Sequence, residues 1–296
     1  MPGIQWPCSI IDALVSRCDS RRSPEGAAHG STKGIMSLKL AVSGKGGVGK
    51  STLAGTLARL FAADGRPVLA IDADPDANLA SALGIPTDML ESIHTISQER
   101  QLIEERTGAR VREFGQIFTL NPDVAGIAEQ YGLEHAGVNL LVLGASQRAG
   151  GGCACPEGVL LKSLVCDLVL NRDEIVILDM EAGIEHLGRG SAMGVDLMIA
   201  VVEPGRRSVE TARRIEEMAR ILGIKRFAIV INKSTDPARD AEWIKQEFGE
   251  DSVIGLIPFD PRIAEADRGG KSLLDMGDCA LLEPFRQIKQ ALEPAS

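Results

Sequence analysis

The sequence predicts an α/β protein in which a doubly wound, mostly parallel sheet is covered by helices on both faces. Short apolar runs alternate with helical segments, which is typical of consecutive strand and helix units. The composition is 44% hydrophobic and only 3% aromatic, which suits one core built from Val, Ile, Leu and Ala. The predicted strands begin near residues 38, 68, 139, 174, 196, 227 and 253.

The first 36 residues differ from the rest of the chain. Prolines and glycines lie there among Ser and Arg without lasting periodicity, so we expect residues 1–36 to be a disordered extension, with Met36 as a candidate start. Residues 37–296 are expected to form one domain. An insertion is predicted at about residues 85–137, where a charged helical stretch from Glu91 to Arg106 interrupts the alternation of strands and helices.

Charge and cysteine content limit the partners of this protein. The chain has 32 basic and 41 acidic residues, of which 28 and 38 follow residue 36. This acidic balance argues against nucleic acid as a partner. No apolar run approaches the roughly 20 residues that span a bilayer, so no membrane partner is expected. Six cysteines without a framework-like spacing favour reduced thiols and a cytoplasmic protein.

The first predicted strand, Leu38–Val42, leads through a glycine-rich loop into a helix, Leu53–Ala63. The spacing of the glycines and of the Lys-Ser pair that follows them is that of a P-loop, in which backbone N–H groups surround the phosphates of a nucleotide. Lys50 is predicted to reach the β- and γ-phosphates and Ser51 to offer its hydroxyl to Mg²⁺. The predicted phosphate-binding residues are Gly44, Gly46, Gly47, Val48, Gly49, Lys50, Ser51 and Thr52.

Lys45 directly follows the first glycine of this loop. It has no phosphate left to contact in its own loop, and it resembles the signature lysine of the MinD/ParA/nitrogenase iron protein class of deviant Walker A (SIMIBI, MinD-like) P-loop ATPases. The resemblance implies a catalytic Lys45 that crosses a dimer interface to the partner's nucleotide. A solvated loop lysine is the alternative.

Two later strands lead into aspartates that we assign to catalysis, Asp74 by the same resemblance and Asp179 by its position in the sequence. Asp74 matches the switch I aspartate that positions or activates the attacking water, and Asn78 falls where the class has a group near Mg²⁺. An ordinary polar loop with Asp as a helix cap is the alternative there. Asp179 ends an apolar strand in the Walker B position that holds a Mg²⁺-bound water. Gly183 would let the backbone approach the γ-phosphate, and His186 is interpreted as a structural histidine rather than a ligand or proton carrier.

Three positions near the end of the chain are assigned to the nucleotide site. Asn232 follows a predicted strand, and its amide can donate and accept, as an adenine edge requires. Pro258 and Asp260 follow the last predicted strand and are assigned to the same site. The final helix, around Leu281–Leu292, lacks the strong basic and apolar faces of a membrane anchor.

Cys153 and Cys155 lie one residue apart after a glycine-rich segment and before a predicted helix. The glycines allow the loop to present both sulfurs outward, and a helix N-terminus favours thiolates. A metal-binding loop is therefore predicted at residues 150–158. A soft divalent ion takes four donors, which one chain cannot supply with this motif and a twofold dimer can. A redox pair, a strained disulfide-like site and two buried small residues remain open as alternatives.

Residues from about 37 to 290 resemble the carbon monoxide dehydrogenase accessory ATPases (CooC type), above all at Gly151–Glu157 and Asp179–Gly190. The resemblance implies a homodimer that uses ATP and Mg²⁺ and supports nickel insertion into its client, carbon monoxide dehydrogenase. It also implies that Cys153 and Cys155 of both subunits bind Ni²⁺ or Zn²⁺. Three alternatives stay open: a maturation ATPase for nickel-containing acetyl-CoA synthase, a MinD/ParA-like positioning ATPase, and an iron protein with a shared iron–sulfur cluster.

Overall fold

A computed structural model describes residues 37–111, 113, 115–144, 155–182 and 194–293. Residues 1–36 lie outside this part of the chain, as do Cys153, Gly183 and His186. The predictions made for these residues are therefore not addressed by the structure.

The strands of the described chain form one sheet, and its architecture confirms the predicted fold class. The strand order is β3-β4-β2-β5-β1-β6-β7-β8. All neighbouring strands are parallel except β3 and β4, which form a short antiparallel pair that the sequence did not reveal. The strands are β1 (Leu38–Gly44), β2 (Val68–Asp72), β3 (Leu133–His135), β4 (Val138–Val142), β5 (Ile175–Glu181), β6 (Leu197–Val202), β7 (Phe227–Ser234) and β8 (Val253–Pro258).

Helices cover both faces of this sheet. The helices are α1 (Lys50–Ala63), α2 (Leu79–Ala82), α3 (Thr87–Leu90), α4 (Arg100–Thr107), α5 (Ile127–Tyr131), α6 (Pro156–Leu170), α7 (Arg206–Leu222), α8 (Pro237–Phe248), α9 (Pro261–Arg268) and α10 (Cys279–Leu292). One core lies between the sheet and helices α4 to α8, and the other lies between the sheet and α1, α2, α9 and α10. The chain is therefore doubly wound.

Strands β2, β5 and β1 lie side by side, and this order positions the functional site. Asp72 at the end of β2 pairs in register with Asp179 of β5, and Gly44 at the end of β1 pairs with Glu181. Ligands of open parallel sheets bind at the carboxyl ends of the strands. The predicted P-loop, switch I and Walker B segments therefore meet at one edge of the sheet.

The prediction of one charged helix from Glu91 to Arg106 was wrong in its first half. Helix α4 begins only at Arg100. Before it, Thr95 forms a parallel bridge with Val142, and the Ser97 N–H donates to the Leu143 carbonyl at 2.9 Å. These backbone groups hydrogen-bond to the end of β4, so they are not available for a helical turn.

The last helix packs on the protein itself. Leu282, Phe285 and Ile288 of α10 are buried in the core that also contains α1. Among the described helices, none combines the length and the apolar character needed to cross a membrane.

Gly55 lies inside α1 at its contact with α2. A Cβ at this position would lie 2.9 Å from the Cβ of Ala82 and 3.0 Å from its carbonyl carbon, and backbone atoms cannot yield as a flexible side chain can. The glycine therefore lets the helix that follows the P-loop approach the segment that follows β2.

We expect Gly55→Ala to lower the free energy of unfolding by ~1–3 kcal/mol because the added methyl overpacks this contact. The same change in an open helix would stabilise by up to ~1 kcal/mol. Chemical denaturation should compare it with Gly205→Ala at the N-cap of α7, where a Cβ would meet nothing within 4 Å, so that this control loses only the ~1 kcal/mol or less of a weaker cap. A Gly55→Ala protein as stable as the wild type would contradict this account of the contact.

Candidate functional site

The P-loop lies between β1 and α1 with the geometry of an anion site. Gly49 has φ 94°, and a Cβ on it would lie 2.2 Å from the Asn232 amide nitrogen, so only glycine fits. Within the described chain no side chain caps α1, whose first N–H groups are therefore free to bind phosphate. The sequence-predicted phosphate loop is thus present as a loop and helix N-terminus.

Lys50, the first residue of α1, pairs with Asp74 in the loop after β2. Its Nζ lies 2.5 Å from Oδ2 of Asp74, and the two side chains are only 8% and 1% exposed. Burial opposes the charge of Lys50, but the hydrogen bond to Asp74 and the charge of Asp179 outweigh it and raise the pKa of the ammonium. Lys50 is therefore charged and shared between this carboxylate and the phosphate-binding loop.

Asp72, the last residue of β2, pairs with Asp179 near the end of β5, and both are fully buried. The backbone N–H groups of Asp74 and Leu79 donate to Asp72 at 3.1 and 2.9 Å. Burial raises the pKa of Asp72 to about 6, against the effect of these N–H groups. Burial and the charge of Asp72 raise the pKa of Asp179 to about 7, although the nearby Ser51 hydroxyl works in the opposite direction.

The Asp179 carboxylate fits a Mg²⁺ site. Neither of its oxygens accepts a well-formed hydrogen bond from the described residues, although both are buried. Buried oxygens without donors are suited to a cation, and Mg²⁺ binds through one or two carboxylates or hydroxyls together with phosphate oxygens. Asp179 and Ser51 are the residues present that would hold the ion.

A cavity of about 300 Å³ opens beside the P-loop. It brings together residues that the sequence assigned to the nucleotide from four separate segments. The predicted residues that line it are Gly47, Gly49, Lys50, Ser51, Thr52, Asn78, Asn232, Pro258 and Asp260. Gly44, Gly46 and Val48 belong to the loop but do not line this cavity, and their contacts with a nucleotide remain predictions.

Two of the residues assigned to the nucleotide, Asn232 and Asp260, have partners within the protein. The Asn232 amide donates to the Val48 carbonyl at 2.7 Å and accepts from the Lys233 N–H at 2.9 Å, which leaves one N–H and one lone pair for a base. Asp260 is the N-cap of α9, and the Arg262 guanidinium holds the pKa of its carboxyl below the usual range. The Asp260 carboxylate is therefore occupied by Arg262.

Lys45 lies on the other side of the P-loop from this cavity. It lines a second cavity of about 270 Å³, together with Glu181 at the end of β5 and with Thr211 and Arg214 of α7. It forms no ion pair with any residue in the described ranges. Lys45 and Lys50 thus face different spaces, although they belong to the same loop.

Cys155 is the one member of the predicted metal pair that the structure describes. Its Sγ accepts a hydrogen bond from the Gly158 N–H at 3.3 Å and caps α6. We expected the helix N-terminus to favour the thiolate. Instead, burial raises the pKa of Cys155, the Gly158 N–H opposes this, and the neighbouring Glu157 adds to the rise. Within the described ranges, no three Cys, His, Asp or Glu side chains form a group that could hold a metal ion.

Sequence reasoning did not assign Asp72 a function, although the signal was available. Asp72 is the last residue of a buried strand. The position of Asp179 after a predicted apolar strand is the feature that identified it, although β5 itself continues to Glu181. Arg214 and Thr211 were also missed as neighbours of Lys45. They lie on an amphipathic helix far along the chain, and nothing local in the sequence places them beside the P-loop.

Comparison with known proteins agrees with this geometry. The family described as the CobQ/CobB/MinD/ParA nucleotide binding domain matches residues 39–273. Among solved structures, the septum site-determining protein MinD of Pyrococcus horikoshii, complexed with Mg-ADP, superposes with a TM-score of 0.62. That match covers 87% of this chain and 96% of the other at 18% identity, so it supports the fold alone.

Two relatives are much closer in sequence. The chain is 48% identical over 239 residues to the carbon monoxide dehydrogenase accessory protein CooC of Rhodospirillum rubrum, which covers 81% of this chain and 90% of that protein. It is 42% identical over 238 residues to an ATP-binding protein of Methanocaldococcus jannaschii, covering 80% and 91% of the two chains. The chain therefore belongs to the CobQ/CobB/MinD/ParA nucleotide-binding family and, within it, to the CooC-type accessory ATPases.

Proposed function

We propose that this ATPase inserts nickel into the active-site cluster of carbon monoxide dehydrogenase in the cytoplasm. The observation that carries the proposal is the 48% identity to a carbon monoxide dehydrogenase accessory protein along 90% of that protein's length. Nickel is the cargo in this proposal, and ATP supplies the energy for its transfer. The Cys153 and Cys155 pair is the part of the chain that would carry the ion.

ATP hydrolysis begins with the Lys50 and Asp74 pair. A phosphate chain in the 300 Å³ cavity competes with Asp74 for the buried Lys50 ammonium. When Lys50 donates to phosphate, the Asp74 carboxylate loses its strongest partner and can orient a water and take its proton. The water oxygen bonds to the γ-phosphorus as the bond to the ADP oxygen breaks. Mg²⁺, when bound, supplies positive charge to the phosphates.

The dimer of the proposal is formed around Lys45. This lysine faces away from the nucleotide cavity of its own chain and has no ion pair in the described part of the protein. A second copy facing it would offer the phosphates of its own nucleotide to this cation. ATP would then stabilise the dimer, because it binds the associated form more tightly than the single chain.

The metal site of the proposal lies on the same dimer. Cys155 is at the start of α6 with a side chain that is partly exposed, so a second copy could approach it. Two cysteines from each chain would complete the four donors that Ni²⁺ or Zn²⁺ needs in a thiolate site. Hydrolysis would loosen the dimer and with it the metal shell, which would release the ion to the client.

Asp179→Asn removes a buried charge and keeps the size of the side chain. The Asp179 carboxyl has its pKa raised from 3.8 to about 7, so the ionised form destabilises the folded protein above pH 7 and this penalty fades as the pH falls towards 4. We expect the variant to be ~1–3 kcal/mol more stable than wild type at pH 8 without Mg²⁺. The difference should shrink at pH 5.

Denaturation at both pH values measures this gain, and a turnover assay should show that the variant no longer hydrolyses MgATP. Asp251→Asn, at an exposed aspartate, is the control and should change neither property. A variant that is less stable than wild type at pH 8, or that still hydrolyses MgATP, would remove Asp179 from the site.

Lys45 can be tested in mixed dimers. One subunit carries Lys45→Gln and the other carries Lys50→Ala, so neither chain has both lysines. A lysine that acts on the partner's nucleotide leaves one complete site in this dimer, and we expect about half of the wild-type turnover. Each variant alone should lose on the order of 10³-fold, as when an arginine finger is removed. A mixed dimer as inactive as its parents would mean that Lys45 acts within its own chain.

The metal site is tested by titration of Ni²⁺ or Zn²⁺ with the mass measured in solution. We expect one ion per dimer in wild type and none in Cys153→Ser/Cys155→Ser. Binding should weaken as the pH falls, because the thiols must lose their protons and burial already raises the pKa of Cys155. The control is Cys279→Ser, at an exposed thiol elsewhere.

The same proteins test the client. Carbon monoxide dehydrogenase lacking nickel should gain activity with wild type, Ni²⁺ and ATP, and should gain none with the double variant. Undiminished metal binding in the double variant, or one tightly bound ion per single chain, would contradict a metal site shared by the cysteines of two chains.

A further inference from the structure

Lys233, near the end of β7, has an unusual backbone conformation. Its φ is 56°, in the left-handed region that a residue with a Cβ rarely adopts, and the pairing of β7 with β8 is irregular between Ile231 and Ser234. A glycine would adopt this φ without strain. The strain therefore raises the question of what the lysine side chain does here.

The side chain of Lys233 reaches the P-loop. Its Nζ donates to the Gly47 carbonyl at 2.6 Å and also pairs with Oε1 of Glu203, just after β6, at 2.6 Å. The preceding residue, Asn232, donates to the Val48 carbonyl at 2.7 Å. Two consecutive side chains thus hold two consecutive carbonyls of the phosphate loop.

The positive φ explains how both side chains can reach the same loop. Successive side chains of a regular strand point to opposite faces of the sheet, so Asn232 and Lys233 could not both contact the P-loop from an extended β7. A left-handed residue in an irregular stretch of strand changes the direction of its side chain. The strain at Lys233 is therefore the condition for this double contact.

The two contacts orient the donors of the P-loop. In a planar trans peptide the C=O and the following N–H point in opposite directions. A carbonyl of Gly47 held by Lys233 directs the Val48 N–H to the other side, and a carbonyl of Val48 held by Asn232 does the same for the Gly49 N–H. The Val48 N–H has only a long 3.3 Å contact, to the Lys45 carbonyl, so it remains a weakly engaged donor.

We propose that Lys233, held by Glu203, is a positioning residue that fixes the peptide orientation of the P-loop for phosphate binding. The charge-assisted hydrogen bond to Gly47 carries most of the effect. The ion pair with Glu203 adds less, because the two side chains are 44% and 40% exposed. The inference rests on the ATP-binding part of the proposed function and is independent of nickel.

The test uses Lys233→Met, which keeps the aliphatic stem and removes the ammonium. Affinities for ATP, ADP and inorganic tripolyphosphate are measured by displacement of a fluorescent ADP. We expect all three to weaken by roughly five- to tenfold, because the same loop binds all three phosphate chains. KM for ATP should rise by a similar factor with kcat nearly unchanged, as for an interaction equally strong in ground and transition states.

Three further variants distinguish the positioning of the P-loop by Lys233 from other roles of this residue. Lys233→Gly relieves the strained φ, so it should match or exceed Lys233→Met in thermal stability without nucleotide while binding nucleotide as weakly. Glu203→Gln should give a smaller loss of affinity. Lys225→Met removes an exposed lysine just before β7 and should bind all three probes as wild type does.

Wild-type affinity in Lys233→Met would overturn the proposal. A loss for ATP and ADP without a loss for tripolyphosphate would also overturn it, because Lys233 would then contact the base rather than the loop. An equal loss of affinity in Lys225→Met would mean that the effect comes from the net charge of the protein and not from the contact with the P-loop. Metal binding by Cys153 and Cys155 should be unchanged in every variant, so failure here is distinguishable from failure of the nickel proposal.

Discussion

The nucleotide site depends on one electrostatic constraint, which is that three buried carboxylates share one buried ammonium. Asp72, Asp74 and Asp179 are at most 1% exposed, and Lys50 is the buried cation among them. Burial and mutual repulsion raise the pKa of two of the carboxyls into the range of 6 to 7. A buried excess of negative charge is stable only when protons or a further cation balance it. The site is thus prepared for a divalent cation that arrives with the nucleotide.

The same carboxylates also fix the loop after β2. Asp72 accepts from the N–H groups at the two ends of this loop, and Asp74 accepts from the Asp76 N–H while it pairs with Lys50. A phosphate that draws Lys50 away changes the charge balance of all these contacts at once. A ligand can shift the equilibrium between two loop conformations only by the difference in its affinity for them. Here the two conformations would differ in whether Lys50 pairs with Asp74 or with phosphate.

The sequence was sufficient for the fold and for most of the cavity, because both depend on local patterns. A buried strand, a glycine loop and a helix are adjacent in the chain, and aspartates at strand ends reach one edge of a parallel sheet by the rules of such folds. What it did not reveal depends on contacts between distant segments. The contacts of Lys233 with Glu203 and with the P-loop depend on tertiary packing. The helix expected from Glu91 does not form in its first half, because backbone groups there hydrogen-bond to the end of β4.

The P-loop has two sides that face different cavities, and under the proposed function this arrangement would connect nucleotide binding to formation of the dimer. On one side Lys50 and Ser51 face the cavity of about 300 Å³, and on the other Lys45 faces the cavity of about 270 Å³ beside α7. The peptides between these lysines are the ones that Asn232 and Lys233 hold. A phosphate that orders the loop from inside therefore also orders the position from which Lys45 extends. Lys45 and the phosphate-binding residues belong to the same short loop. The affinity of a second copy for Lys45 would therefore depend directly on whether a nucleotide is bound.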